Sequence, residues 1–217
     1  MQGVVPAAGK GTRMQPLTES RPKGLVDVAG QPLLTHVFEA LTDLGVTELI
    51  VIVGYRGGQI REYYGTTFEH TPITYVTQQS RDGLADALVQ ASPQIDGEFV
   101  LLNGDNVIQA NTASVVSRHR ESDADVTALI EQMPSVKAQK GAVFELEDGR
   151  ITGLVEKPAD PPSMLVPRGF YAFSPKIIPA CGLVTPNDTG EYELTDAIDL
   201  LLAAGRSLET IQLKGWC

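Results

Sequence analysis

Apolar residues fall along the chain in two textures, short unbroken runs and longer stretches at helical spacing. Val4-Val5, Glu48 to Val53 (ELIVIV), Ile73 to Thr77 and Glu98 to Asn103 (EFVLLN) read as strands. Unbroken apolar runs of this length belong to strands buried on both faces of a parallel sheet. Between them, Pro32 to Leu44 places Leu34, Val37, Leu41 and Leu44 on one stripe and stops at Gly45. Gln59 to Tyr64, Leu84 to Ala91 with Asp82 as its N-cap, and Thr112 to Glu121 complete the helices of this half. The βαβαβα order predicts an α/β fold: a doubly wound, mostly parallel sheet with helices on both faces and ligands at the strand C-termini.

Past Asp125 the texture changes. Val126 to Ile130, Ala142 to Leu146, Ile151 to Val155 and Gly169 to Phe173 read as strands, joined by turns such as Glu147-Asp148-Gly149. They predict a smaller mixed or antiparallel region within one domain spanning 1–217. Ala159 to Ser163 is an exposed loop, Pro175 to Ala180 a helical turn, Leu194 to Ala204 a helix ended by Gly205, and Leu208 to Leu213 a last strand.

With 217 residues, 42% of them hydrophobic, the chain can bury a substantial core. No run approaches the roughly 20 apolar residues of a membrane span, and no secretory signal is visible at the N-terminus. Cys181 and Cys217 are too few for a disulfide scaffold and fit a reducing cytoplasm. The formal net charge of −10, from 27 acids and 17 bases, argues against nucleic-acid and anionic-membrane partners. It also suits a high-salt cytoplasm. An anionic substrate would need local cations, which draws the eye to Arg13, Lys23 and Lys157.

The most informative stretch is Gly3 to Leu25, GVVPAAGKGTRMQPLTESRPKGL. A strand empties into small residues at Ala7, Ala8, Gly9 and Gly11, followed by Thr12, Arg13 and later Lys23. Small residues let a ligand approach the backbone, and successive N–H groups can nest an anion. Arg13 adds a forked donor and Lys23 a mobile point charge, so the stretch reads as a triphosphate-gripping loop. It is not a Walker A loop: Gly9-Lys10 is followed by Gly11, and Val4 stands where the first glycine is required. Nor is it a dinucleotide fingerprint, because Met14 holds the third glycine position and the strand ending at Val53 leads to Gly54 rather than an acid.

The block AAGKGTRMQPLT…RPKGLVDVAGQPLL resembles the sugar-1-phosphate nucleotidylyltransferases, which pair a G-x-G-T-R loop with P-K and a V-x-G-x-P turn. The resemblance continues in order through Gln78 to Ala85, LLNGDN at Asp105, Glu156-Lys157-Pro158 and GEYELTD at Gly190 to Asp196. It implies an enzyme that joins a nucleoside triphosphate to a sugar 1-phosphate, releasing pyrophosphate. It implies that residues 1–110 mainly bind nucleotide and 111–217 mainly bind sugar phosphate, in a chain free to form a homo-oligomer.

Carried over residue by residue, the resemblance places the nucleotide over Ala7 to Arg13, with Arg13 and Lys23 on the phosphates and Asp105 on magnesium. Gln78 and Gly83 belong to the base-recognition segment, and an amide such as that of Gln78 matches the O4/N3 edge of uracil or thymine. Lys157 would hold the incoming phosphate, Glu156 the sugar hydroxyls and Gly141 the sugar by its backbone. Tyr171 is read equally as pocket wall or core aromatic, and Thr195 as sugar contact or helix support. Taken alone, Asp105 is as readily a turn residue and Glu156-Lys157 a surface pair.

Glucose 1-phosphate is the expected sugar. Relatives that take N-acetylglucosamine often carry Asn at the position of Pro167, which weighs against that alternative. An N-acetylglucosamine- or mannose-1-phosphate enzyme, and a non-catalytic binding subunit of the same fold, are the alternatives. UTP and dTTP are not separated. His36, on the polar side of its helix, His70 in a loop and His119 among charges share no metal-ligand spacing. Family members continue past the last strand with W-x-D, whose Asp is a second metal carboxylate. Here the chain reads LKGWC to Cys217, so the resemblance expects a chain short of that carboxylate, with Trp216 near the cleft of Asp105 and Lys157.

Overall fold

The computed structural model describes residues 1–217. The first half comprises β1 (Gln2–Ala7), β2 (Asp27–Val28), β3 (Gln31–Pro32), α1 (Leu33–Thr42), β4 (Leu49–Val53), α2 (Gly57–Tyr64), β5 (Thr67–Phe68) and β6 (Thr71–Thr77). Next come α3 (Leu84–Ala91), β7 (Phe99–Leu102), β8 (Gln109–Ala110), α4 (Thr112–Ser122), β9 (Val126–Gln132) and α5 (Ser135–Ala138). The chain closes with β10 (Ala142–Glu147), β11 (Arg150–Glu156), β12 (Leu165–Phe173), α6 (Ile177–Cys181), α7 (Leu194–Ala203), β13 (Leu208–Gln212) and β14 (Gly215–Trp216).

Eight strands form one sheet in the order β13-β9-β12-β7-β1-β4-β6-β5. The pairs β1–β4, β1–β7, β4–β6 and β9–β13 are parallel, while β12 runs antiparallel to both β7 and β9. Successive strand residues face opposite sides, so one run of apolar residues feeds two cores. Val4, Ile50, Ile52, Phe99 and Leu101 join one core with α3, α6 and α7. Val5, Leu49, Val51, Val53, Val100 and Leu102 join the other with α1, Ile60 of α2 and Val115 of α4. No helix is long and apolar enough to cross a membrane.

Several local expectations change. Of the strands beyond Asp125, β9, β12 and β13 extend the central sheet, β10 and β11 form a separate hairpin, and β14 pairs with β8. β12 starts at Leu165, earlier than its apolar run suggests, with a register shift between Pro167 and Tyr171. Asp82 does not cap α3. Gly83 holds that position at φ +102, a conformation that suits glycine, and the Asp82 carbonyl accepts the Tyr192 N–H instead (2.6 Å). His119, among charges in the sequence, is buried, its Nδ1 3.0 Å from the Thr127 hydroxyl, and burial lowers its pKa.

After β1 the chain proceeds outward to β4 and β6, then returns to β7 on the other side of β1. The crevice at the C-terminal ends of β1 and β7 is therefore a topological switch point, where open α/β sheets take their ligands.

Candidate active site

Two cavities meet at that crevice. The first, about 290 Å³, lies over the end of β1 and is walled by Ala7, Ala8 and Gly9, with Lys23 and Asp105 at one side and Gln78 and Gly83 at the other. The second, about 520 Å³, is walled by Glu156, Tyr171, Thr195 and Gly141, and by Arg13. Leu84, Asn103 and Asp105 belong to both walls. Asp105 thus stands between a cavity built mainly by the first half and one built mainly by the second.

Lys23 Nζ and Asp105 Oδ2 form an ion pair at 2.5 Å. The stem of Lys23 packs against Gly11, which adopts φ +65 and starts the 3-10 turn Thr12–Met14. Gly11 and Thr12 line neither cavity, so they shape the loop, whereas Arg13 lines the second cavity and forms no ion pair. Gln78 is buried, and its Nε2 donates to the Gly83 carbonyl (3.0 Å) and to Asp86 Oδ2 (2.6 Å). Its donors are therefore engaged within the chain, and Oε1 is the group offered to a ligand.

In the second cavity, Glu156 is held by Lys157 Nζ at 3.0 Å. That hydrogen bond raises the Lys157 pKa, and Lys157 adopts φ +47, a strained backbone for a residue with a Cβ. Lys157 does not itself line the cavity. Tyr171 is part of the core, stacked on Phe173 with ring centroids 5.3 Å apart, and it also walls the cavity. Burial raises its pKa. The Thr195 hydroxyl is buried and has no hydrogen-bond partner, and Thr195 belongs to the wall of this cavity. Glu193, also in this wall, has its pKa raised by burial and then by the negative charge of Glu156.

Other residues enter the walls to which no motif assigns a role. Arg168 lies in the second cavity, its Nε 3.2 Å from Glu131 Oε2. Its position in β12 depends on Gly169 at φ +66, where the Asn103 and Asn106 amides occupy the space of a Cβ. A charged residue inside the apolar run LVPRGFYAF was the available signal. Arg81 and Glu191 line the first cavity, and Lys137 and Lys140 the second. Arg168 also donates to the Cys217 carbonyl (3.1 Å), and Trp216 pairs with Gln109 across β8 and β14. The segment around Trp216 therefore reaches the cleft that contains Asp105.

The switch point of this open α/β sheet carries a small-residue loop with Lys23, Arg13 and Asp105 in the walls of a double cavity, an arrangement suited to phosphate. The chain belongs to the nucleotidyl transferase family, whose model matches residues 2–217. It is 48% identical to the UTP–glucose-1-phosphate uridylyltransferase AglF of Haloferax volcanii over 100% of this chain and 89% of that protein. It is 33% identical to a Streptomyces antibioticus glucose-1-phosphate thymidylyltransferase, of which it spans 61%. A crystal structure of UDP-glucose pyrophosphorylase with UDP-glucose superposes with a TM-score of 0.88 at 25% identity, over 99% of this chain and 90% of that one.

Proposed function

We propose that the protein transfers the nucleotidyl group of UTP or dTTP to a sugar 1-phosphate, glucose 1-phosphate first among them, giving an NDP-sugar and pyrophosphate. A phosphate oxygen of the sugar 1-phosphate attacks the α-phosphorus. The bond from that phosphorus to the bridging oxygen breaks, and pyrophosphate leaves with its electron pair. The observation that carries the reading is the double cavity, with Asp105 in both walls and Lys23 and Arg13 beside it. It would bring two anionic substrates end to end.

On this reading Ala7, Ala8 and Gly9 admit the triphosphate to the backbone, and Arg13 and Lys23 stabilise the phosphate charge as pyrophosphate departs. Positioning and fixed charge supply most of the catalysis. Glu156 accepts from sugar hydroxyls, Lys157 holds the sugar phosphate, and Gly141, Tyr171 and Thr195 complete the sugar wall. Residues 1–110 are mainly the nucleotide half and 111–217 the sugar half. No cluster of three His, Cys, Asp or Glu side chains could hold a metal by itself. The half-exposed Asp105 carboxylate fits a magnesium ion shared with phosphate oxygens. When bound, magnesium neutralises phosphate charge, and Lys23 would exchange Asp105 for phosphate. Free Cys181 and Cys217 support a cytoplasmic location.

Gln78 supplies the test of nucleotide choice. With Nε2 engaged, Oε1 accepts the N3–H of uracil or thymine, a hydrogen that cytosine lacks. Gln78→Ala is expected to weaken UTP or dTTP by about tenfold, the scale of one buried hydrogen bond, and ATP or GTP far less. Equal losses for all four nucleotides in competition binding would reduce Gln78 to a support for its loop.

A further inference from the structure

The segment from Gln15 to Pro22 joins Arg13 to Lys23, yet its own hydrogen bonds are a few turns, such as Leu17 N–H to the Met14 carbonyl and Glu19 N–H to the Pro16 carbonyl. The buried Thr18 ties it back to the loop, its hydroxyl donating to the Gly11 carbonyl at 2.8 Å, and the corner that follows β4 holds it from the other side. Tyr55 Oη donates to the Glu19 carbonyl (3.2 Å), and Arg56 Nη2 donates to the same oxygen (3.0 Å). Arg56 Nε donates to Tyr55 Oη at 2.9 Å, which makes phenol and guanidinium a single forked donor. Gln59 Nε2 adds a bond to the Ser20 carbonyl (3.3 Å). The corner also grips the start of the loop, through Tyr55 N–H to the Ala8 carbonyl (3.0 Å) and Lys10 Nζ 5.8 Å from the centre of the Tyr55 ring. Arg56 does this from a left-handed backbone, φ +52, that a residue with a Cβ rarely adopts.

We propose that Tyr55 and Arg56 are positioning residues: a clasp that ties both arms of the phosphate loop to the end of β4 and so sets where Arg13 and Lys23 stand for the nucleotide. The inference rests on the nucleotidyl-transfer reading for its substrate, while the clasp itself is a property of the fold. Arg13 and Lys23 lie on either side of the clasped segment, so its disorder would spread to both cations at once. Tyr55 and Arg56 line neither substrate cavity, so their effect must pass through the loop.

Arg56→Gly is the informative variant, because glycine suits φ +52 and removes the side chain without straining the backbone. Tyr55→Phe removes one donor while keeping the ring. Amide hydrogen exchange across residues 15–22 should become about tenfold faster in Arg56→Gly while β4 and α1 exchange as before. The KM for UTP should rise about tenfold and the KM for glucose 1-phosphate stay within about twofold, with a thermal midpoint at or above that of the native chain. Tyr55→Phe should move the same quantities the same way by less. Unchanged exchange would overturn the clasp. Faster exchange with an unchanged UTP KM, or with both KM values raised alike, would overturn the positioning role. A native chain that turns over neither UTP nor dTTP would remove the proposed function, and the exchange measurement would still decide whether the clasp exists.

Discussion

Thr195 carries its chemistry in what it lacks. A buried hydroxyl without a partner costs about 1–3 kcal/mol, and this one sits in the wall of the second cavity. A sugar hydroxyl or phosphate oxygen that accepts from it recovers that cost on binding. Thr195→Val keeps the shape, so the fold should be unchanged or slightly more stable, while the KM for glucose 1-phosphate rises about tenfold and that for UTP does not. If thermal stability falls and both KM values hold, Thr195 supports the start of α7 instead. Lys23, Asp105 and Glu156 were legible in the sequence only through the order of their motifs, since Asp105 alone reads as readily as a turn residue and Glu156 as part of a surface pair; the fold brings all three to the cavity walls. Arg168, Arg81 and the lysines of the second cavity were not, because a long side chain reaches a site from a position that only tertiary structure brings near. Lys157, which the resemblance assigns to the incoming phosphate, pairs with Glu156 and lines neither cavity.

At the scale of elements, the β10–β11 hairpin bears Glu156 at its end and follows directly on Gly141. It is tied to α7 by Asp199, whose Oδ1 accepts the Leu154 N–H at 2.7 Å. Burial, reinforced by the charges of Asp196 and Glu145, pushes the Asp199 pKa up to about 6 from an ordinary value of 3.8. The folded state therefore holds this proton more tightly than the unfolded state does. The ionised carboxylate costs stability progressively as pH rises from about 4 through 6 and fully above that. Asp199→Asn keeps an acceptor for Leu154 and removes the charge. Its melting temperature should exceed that of the native chain above pH 6, and the two should converge below about pH 4. A melting temperature lower at every pH would mean that the charge itself fastens the hairpin. The central strands and α1 were legible because apolar period and burial agree there. The start of α3 was not, because Gly83 takes the cap position and the Asp82 carbonyl meets Tyr192, a residue distant in sequence.

For the molecule as a whole, the order of strands and helices already implied a sheet with a crevice at its carboxyl edge. It did not imply that β9, β12 and β13 would extend the same sheet, because antiparallel pairing of β12 with β7 leaves no mark in the apolar pattern. A net charge of −10 repels itself across the surface. Salt shortens the screening length from about 10 Å at 0.1 M to about 3 Å at 1 M. The melting temperature should therefore rise over that range of potassium chloride, and a fall would assign more of the stability to ion pairs such as Arg118–Glu209. The central claim is that the two cavities hold a nucleoside triphosphate and a sugar 1-phosphate for transfer. It is tested most directly by pyrophosphate release with magnesium, across a panel of nucleoside triphosphates and sugar 1-phosphates, for the native chain and Lys23→Ala. The account predicts release that requires both substrates, is greatest with UTP or dTTP and glucose 1-phosphate, and falls at least about 100-fold in a folded Lys23→Ala. Binding of nucleotide with no pyrophosphate from any pair, or an undiminished Lys23→Ala, would contradict it.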